Sequence, residues 1–79
     1  MSPTVLRDGA YRFFFFSREE PRMHIHVSSP DGEAKFWLGP VVALVEHHGL
    51  SPRDLRYLHT YVEEHRDEIE RAWREHFAG

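Results

Sequence analysis

Two neighbouring segments of the chain, residues 23–29 and 33–38, alternate between apolar and polar positions. A period of two predicts β-strands that send apolar side chains to one face of a sheet and polar side chains to the other. The Pro-Asp-Gly sequence between the segments suits a tight turn, so we expect a hairpin. In the simplest register the pairs on the polar face are Ser28 with Glu33, His26 with Lys35, and His24 with Trp37.

Residues 4–7 and 10–17 predict a second hairpin near the N-terminus. The Asp8-Gly9 dipeptide between them is a strong signal for a two-residue turn, because such turns need positive φ angles that glycine adopts readily. This turn would place Leu6 opposite Tyr11. The second strand contains four consecutive phenylalanines, which are apolar on both faces and predict a strand in the interior of the sheet.

Residues 52–77 predict a long helix, with Ser51 as its N-cap and Pro52 at the first helical position. Apolar side chains recur at three- and four-residue steps and form one stripe: Leu55, Leu58, Val62, Ile69, Ala72, Trp73 and Phe77. A straight helix of this length would extend ~39 Å. Strands of seven residues reach only ~23 Å. We therefore expect the helix to overhang the sheet, to bend near residues 65–67, or to pack on a second subunit.

These elements predict a single α+β domain over residues 1–79. Its sheet is a small antiparallel meander of four strands, with one long C-terminal helix packed on one face. Residues 41–47 add either a fifth strand or a helical turn, because an apolar run this short does not reveal its period. The helix should cover the apolar face of the sheet, which carries Leu6, Phe13, Phe15, Ile25 and Phe36.

The composition indicates the cellular compartment and argues against some kinds of partner. The 79 residues include no cysteine, which fits the reducing cytoplasm and leaves no thiolate for a metal site. No apolar stretch approaches the ~20 residues that span a bilayer, so we expect a cytoplasmic protein without a membrane partner. The formal net charge of −3 argues against a domain that binds nucleic acid by bulk electrostatics alone.

The polar face of the predicted sheet is the candidate working surface. It carries Arg7, Arg12, Phe14, Phe16, His24, His26, Lys35 and Trp37. Large aromatic side chains rimmed by arginine are typical of protein interfaces, and one helix can cover only one face of a sheet. The first hypothesis is therefore that this face binds a protein partner or a second copy of the chain.

Two alternatives use the same residues. Aromatic rings can stack on bases while Arg12 and Lys35 hold phosphates, which would make the protein an RNA-binding protein or a metal-independent ribonuclease. In the ribonuclease, His24 or His26 would act as the general base. The second alternative is a divalent metal bound by His24, His26 and His48; no other cofactor is expected.

Several segments resemble a family of small bacterial proteins, the domain of unknown function DUF4160. The segments that carry the resemblance are Pro3–Arg7, Tyr11–Ser17, His24–Val27, Glu33–Leu38, His48-Gly49 and Ser51–Arg53. Family members typically have Pro-Pro where this chain has Arg22-Met23. They are often encoded beside another small protein in a pairing that looks like a toxin–antitoxin module. The resemblance thus implies a protein partner, and leaves the chemistry open.

Overall fold

The computed structural model describes residues 4–16 and 21–77, and it confirms the predicted α+β class. The elements are β1 (Thr4–Asp8), β2 (Tyr11–Phe14), β3 (His24–Ser29), β4 (Gly32–Trp37), β5 (Ala43–His48), α1 (Pro52–Glu64) and α2 (Arg66–Phe77). The strands form one antiparallel sheet in the order β1-β2-β3-β4-β5, and the two helices follow it in the chain. The segment 41–47 thus contributes a strand, and the predicted long helix is divided in two.

The register of β3 and β4 agrees with the prediction. On one face His24 pairs with Trp37, His26 with Lys35 and Ser28 with Glu33. On the other face Ile25 pairs with Phe36 and Val27 with Ala34, and all four of these side chains are buried. The alternation fixes the register because a slip by one residue would turn the apolar set of one strand towards solvent.

The turn between β1 and β2 begins one residue later than predicted. Asp8 belongs to β1 and pairs with Tyr11, so Gly9 is the first residue of the turn instead of the second. Leu6 therefore pairs with Phe13 and not with Tyr11. Because the partner of Leu6 moves by two residues, Leu6 and Phe13 keep the face that the sequence predicted for them, whereas the register of the pair shifts between Thr4 and Leu6.

A contact with α1 holds Asp8 in the strand. The hydroxyl group of Tyr57 donates a hydrogen bond to the Asp8 carboxylate. The ring of Tyr57 also stacks on Tyr11, with ring centroids 6.1 Å apart. The hydrogen bond, assisted by desolvation, raises the pKa of Tyr57 to about 12, because the neutral phenol is the form that donates to the carboxylate.

The second strand is shorter than predicted. β2 ends at Phe14, whereas the sequence predicted a strand over 10–17, of which Ser17 lies outside the described residues. Phe15 and Phe16 continue the alternation beyond the end of the strand. Phe15 is buried in the core, whereas Phe16 is 45% exposed and contacts side chains on the opposite face of the sheet.

The end of β5 packs directly on the turn between β3 and β4. Gly49 has a φ of 80°, and a Cβ atom there would collide with the carbonyl oxygen of Asp31. A Cβ atom on Gly32 would collide in the same way with the carbonyl oxygen of His48. Two glycines therefore allow the two backbones to approach each other, and this contact fixes the position of His48 on the sheet.

The two helices cover the apolar face of the sheet, as predicted. The largest buried side chains from the sheet are Phe13, Phe15, Ile25, Val27, Phe36 and Leu38, and those from the helices are Leu58, Val62, Ile69 and Trp73. α1 begins with the predicted N-cap: the backbone N–H of Asp54 donates to Ser51 Oγ at 3.1 Å, and that of Ser51 donates to Asp54 Oδ2 at 3.4 Å. No helix in the described part of the chain is long and apolar enough to cross a membrane.

The helical segment is interrupted at His65, inside the range where the sequence predicted a bend. The backbone of His65 has φ −107° and ψ 14°, outside the α-helical range. Its imidazole Nδ1 lies 2.8 Å from the carbonyl oxygen of Tyr61, which also accepts the backbone N–H of His65. Arg66 then begins α2, and its guanidinium donates to Glu70 Oε2 at 2.7 Å and to the carbonyl oxygen of Pro40 at 3.2 Å.

Candidate functional site

The candidate site lies on the face of the sheet opposite the helices, which we call the back face. Cross-strand pairing arranges its side chains in rows. One row crosses the whole sheet as Thr4, Phe14, His26, Lys35 and Glu46. The next row is Arg7, Arg12, Ser28, Glu33 and His48. Side chains opposite each other in such rows are direct neighbours, so the predicted polar-face residues are brought together.

Aromatic rings form a continuous cluster around His26. Its imidazole stacks on Phe14 with centroids 5.6 Å apart and meets Phe16 edge-on at 4.4 Å. The ring of His24 lies 5.0 Å from it, and Trp37 lies 5.7 Å beyond His24. The structure thus places all five predicted ring-bearing residues in one connected cluster, with Phe14 and Phe16 at one end and Trp37 at the other.

Three cations lie over the rings of this cluster. The guanidinium carbon of Arg12 is 4.5 Å from the centre of the Phe14 ring. Arg22 and Lys35 both approach Trp37, at 4.3 Å and 4.8 Å from its ring centroid. Lys35 is also largely buried, with only 9% of its surface exposed. The positive charges of this face are therefore partly used in cation–π contacts within the molecule.

His24 differs from the expectation in its accessibility. It lies on the predicted face and pairs with Trp37, but its ring is fully buried. Trp73 of α2 covers it, with ring centroids 5.0 Å apart, and Nδ1 lies 2.7 Å from the carbonyl oxygen of Arg22. The expectation that His24 is open to a partner is wrong because α2 reaches the end of the sheet where β3 begins. A catalytic role for either histidine stays a prediction, and His26 is the partly exposed one.

A pocket of about 360 Å³ opens beside His26 on the back face. It is lined by Phe14, Phe16, His26, Val27, Glu33, Ala34, Lys35, Glu46, His47 and His48. Its volume lies at the lower end of the ~300–1,000 Å³ typical of ligand pockets. The lining thus combines aromatic rings with two acidic residues, Glu33 and Glu46.

The alternative metal site would need His24, His26 and His48 to converge. The two β3 histidines are in contact, whereas His48 lies two strands away, opposite Glu33 of β4. Within residues 4–16 and 21–77, no group of three or more His, Cys, Asp or Glu side chains lies close enough to hold a metal ion.

Sequence reasoning missed two contributors to the site. Glu46 lines the pocket because residues 43–48 form an edge strand, and the sequence did not distinguish this strand from a helical turn. Once β5 is known, strand pairing places Glu46 directly opposite Lys35. Arg22 precedes β3, and no periodic pattern indicates its contact with Trp37.

Fold and site together define a small α+β domain whose sheet has one face covered by two helices and a pocket on the other. The family described as domain of unknown function (DUF4160) matches residues 10–74, and the chain belongs to this family. The match confirms the resemblance that the sequence motifs indicated. No curated protein and no solved structure matches the chain.

Proposed function

We propose that this protein is a small interaction domain that binds another protein through its back face, as one component of a toxin–antitoxin-like pair. The observation that carries the proposal is the pocket of about 360 Å³ set among the rings of Phe14, Phe16 and His26. Interfaces concentrate their binding energy where a side chain of one protein fills such a pocket of the other. The toxin–antitoxin role rests on the gene pairing that is common in the family.

The charges around the pocket favour a protein over RNA as the partner. Glu33 and Glu46 line the pocket, and their carboxylates would repel the phosphates of a nucleic acid. The nearest cations, Arg12 and Lys35, already lie over aromatic rings of the protein itself. The net charge of −3 also disfavours binding to RNA.

RNA binding remains the competing proposal because of one specific observation. Arg12 lies over Phe14 and Arg22 lies over Trp37. Proteins that bind single-stranded nucleic acids use aromatic rings to stack on bases and basic side chains to hold phosphates. In a ribonuclease version of this alternative, His26 would be the accessible general base, with its ring in contact with Phe16.

The test is co-expression of the chain with the small protein encoded beside it, followed by calorimetric titration of the purified pair. Phe16→Ala should weaken binding by at least about tenfold, since interface rings of this kind are common hot spots. Phe77→Ala is the matched control, because it removes a comparably exposed ring (36% against 45%) from the end of α2. We expect the control to bind within about twofold of the wild type.

Two results would contradict the proposal. One is a pair that does not associate, and the other is equal binding by the wild type and by Phe16→Ala. A parallel titration with single-stranded RNA decides between the alternatives: salt-sensitive binding that is lost in Arg12→Ala would favour the RNA-binding protein.

A further inference from the structure

The composition of the back-face pocket indicates the chemistry of the group that it receives. Its lining includes three aromatic rings, because Phe14, Phe16 and His26 meet there at ring-centroid distances of 4.4–5.6 Å. Glu33 and Glu46 line it from adjacent strands, and cross-strand pairing puts Glu46 opposite Lys35 and Glu33 opposite His48. Aromatic faces and carboxylates both attract cations.

Two of the cations near the pocket contact aromatic rings of the protein itself. The ammonium group of Lys35 lies 4.8 Å from the ring centroid of Trp37, and Trp37 is not among the residues that line the pocket. The guanidinium of Arg12, which is also outside the lining, lies 4.5 Å from the ring centre of Phe14. Phe14 is only 8% exposed, so Phe16, at 45%, is the ring of the pocket that offers a ligand the larger exposed surface.

We propose that the pocket binds the guanidinium side chain of an arginine carried by the partner protein. This inference rests on the proposed function and names the chemistry of the partner's contact. A guanidinium is flat, so it stacks on a ring while its edge donates hydrogen bonds to carboxylates. The two carboxylates that line the pocket and the negative net charge of the chain make it complementary to a basic segment.

The test uses capped single amino acids as probes, so that it does not depend on identifying the partner. Labelled wild-type protein is titrated with N-acetyl-arginine methylamide and with the citrulline analogue, which has a similar shape and no charge. Amide NMR signals of the pocket residues report binding. We expect saturable shifts with the arginine compound at millimolar concentrations, and an affinity at least about tenfold lower for the citrulline compound.

Isosteric variants then test the carboxylates. Glu33→Gln and Glu46→Gln should each weaken arginine binding by about threefold or more, whereas Glu64→Gln, an exposed carboxylate on α1, should leave it unchanged. Equal binding of the citrulline compound, stronger binding of N-acetyl-glutamate methylamide, or the lack of saturable shifts at pocket residues would overturn the inference.

The same variants separate this inference from the proposed function. If the partner protein binds in a Phe16-dependent manner but is indifferent to Glu33→Gln and Glu46→Gln, the arginine contact is refuted while the back face remains the binding surface. If Phe16→Ala binds the partner as the wild type does, the proposed function fails, whatever the arginine probe shows.

Discussion

The contact between the end of β5 and the turn before β4 can be tested with two glycine variants. Gly9 and Gly49 both have positive φ angles, 59° and 80°, so alanine at either position pays the cost of a left-handed backbone conformation. That cost is ~1–2 kcal/mol for an L-residue. The surroundings of the two glycines differ. A Cβ atom at Gly9 would have no neighbour within 4 Å, whereas at Gly49 it would collide with the carbonyl oxygen of Asp31.

The collision sets the difference in magnitude. The Cβ atom at Gly49 would also lie 3.2 Å from the Cα atom of Gly32 and 3.4 Å from the carbonyl carbon of Asp31, and all of these are backbone atoms that cannot rotate away. Forcing an extra methyl group into a packed region costs a further ~1–3 kcal/mol. We therefore expect Gly49→Ala to lower the free energy of unfolding by ~2–5 kcal/mol and Gly9→Ala by only ~1–2 kcal/mol.

The assay is urea unfolding followed by far-UV circular dichroism, with both variants measured beside the wild type. A domain of this length has an expected stability of ~4–12 kcal/mol, so at the lower end of that range Gly49→Ala would be close to the limit of folding. Equal destabilisation by the two variants would refute the reasoning, because strain at positive φ would then explain both.

Three further predictions concern the N-cap of α1, the pKa of Tyr57 and the burial of His24. Ser51→Ala should cost ~1 kcal/mol in urea unfolding, because it removes the capping hydrogen bond at the start of α1; a neutral result would contradict the observed N-cap. Because the folded pKa of Tyr57, about 12, lies above the ordinary value of 10, the stability that its hydrogen bond contributes should be present below pH 10 and disappear as the pH rises towards 12. Absorbance at 295 nm should accordingly show a tyrosine that ionises far above pH 10, and Asp8→Asn should lower its pKa; an unchanged titration would exclude this hydrogen bond. His24 should resist modification by diethylpyrocarbonate in the native protein and react in Trp73→Ala, in which the covering ring is missing; rapid modification of His24 in the wild type would show that it is not buried.

The central hairpin could be predicted from the sequence because two independent constraints agree there. Alternation assigns faces within each strand, and only one register lets the apolar faces of β3 and β4 coincide. For the N-terminal turn, no second constraint of this kind fixed the register. The Asp-Gly signal is local, whereas the hydrogen bond from Tyr57 that holds Asp8 in β1 comes from a helix 49 residues away. Long-range contacts of this kind leave no periodic pattern.

The pattern of the sequence indicated neither the break in the helix nor the burial of His24. The apolar stripe of residues 52–77 has a helical period and contains no proline or glycine at its centre, so its pattern predicts one helix. In the structure the break falls at His65, whose side chain contacts the carbonyl oxygen of Tyr61. Trp73 of α2 covers His24, and no pattern within β3 could indicate that contact.

The fifth strand was undecided for a different reason. Its pairing with β4 shifts register between Lys35 and Phe36, and this irregularity interrupts the alternation in an already short segment. Without β5, the sequence placed Lys35 and His26 correctly but gave no reason to add Glu46 beside them. Of the two carboxylates that line the pocket, the sequence thus placed Glu33 on this face, and Glu46 emerged only from the structure.

The most direct test of the binding surface is an amide NMR titration of this chain with its proposed partner protein. Our account predicts that the largest changes occur at pocket residues of the back face, above all Phe16, His26 and Glu46. Changes confined to the exposed side of α1, around Arg56, Thr60 and Glu63, would contradict it, because they would place the partner on the opposite side of the sheet.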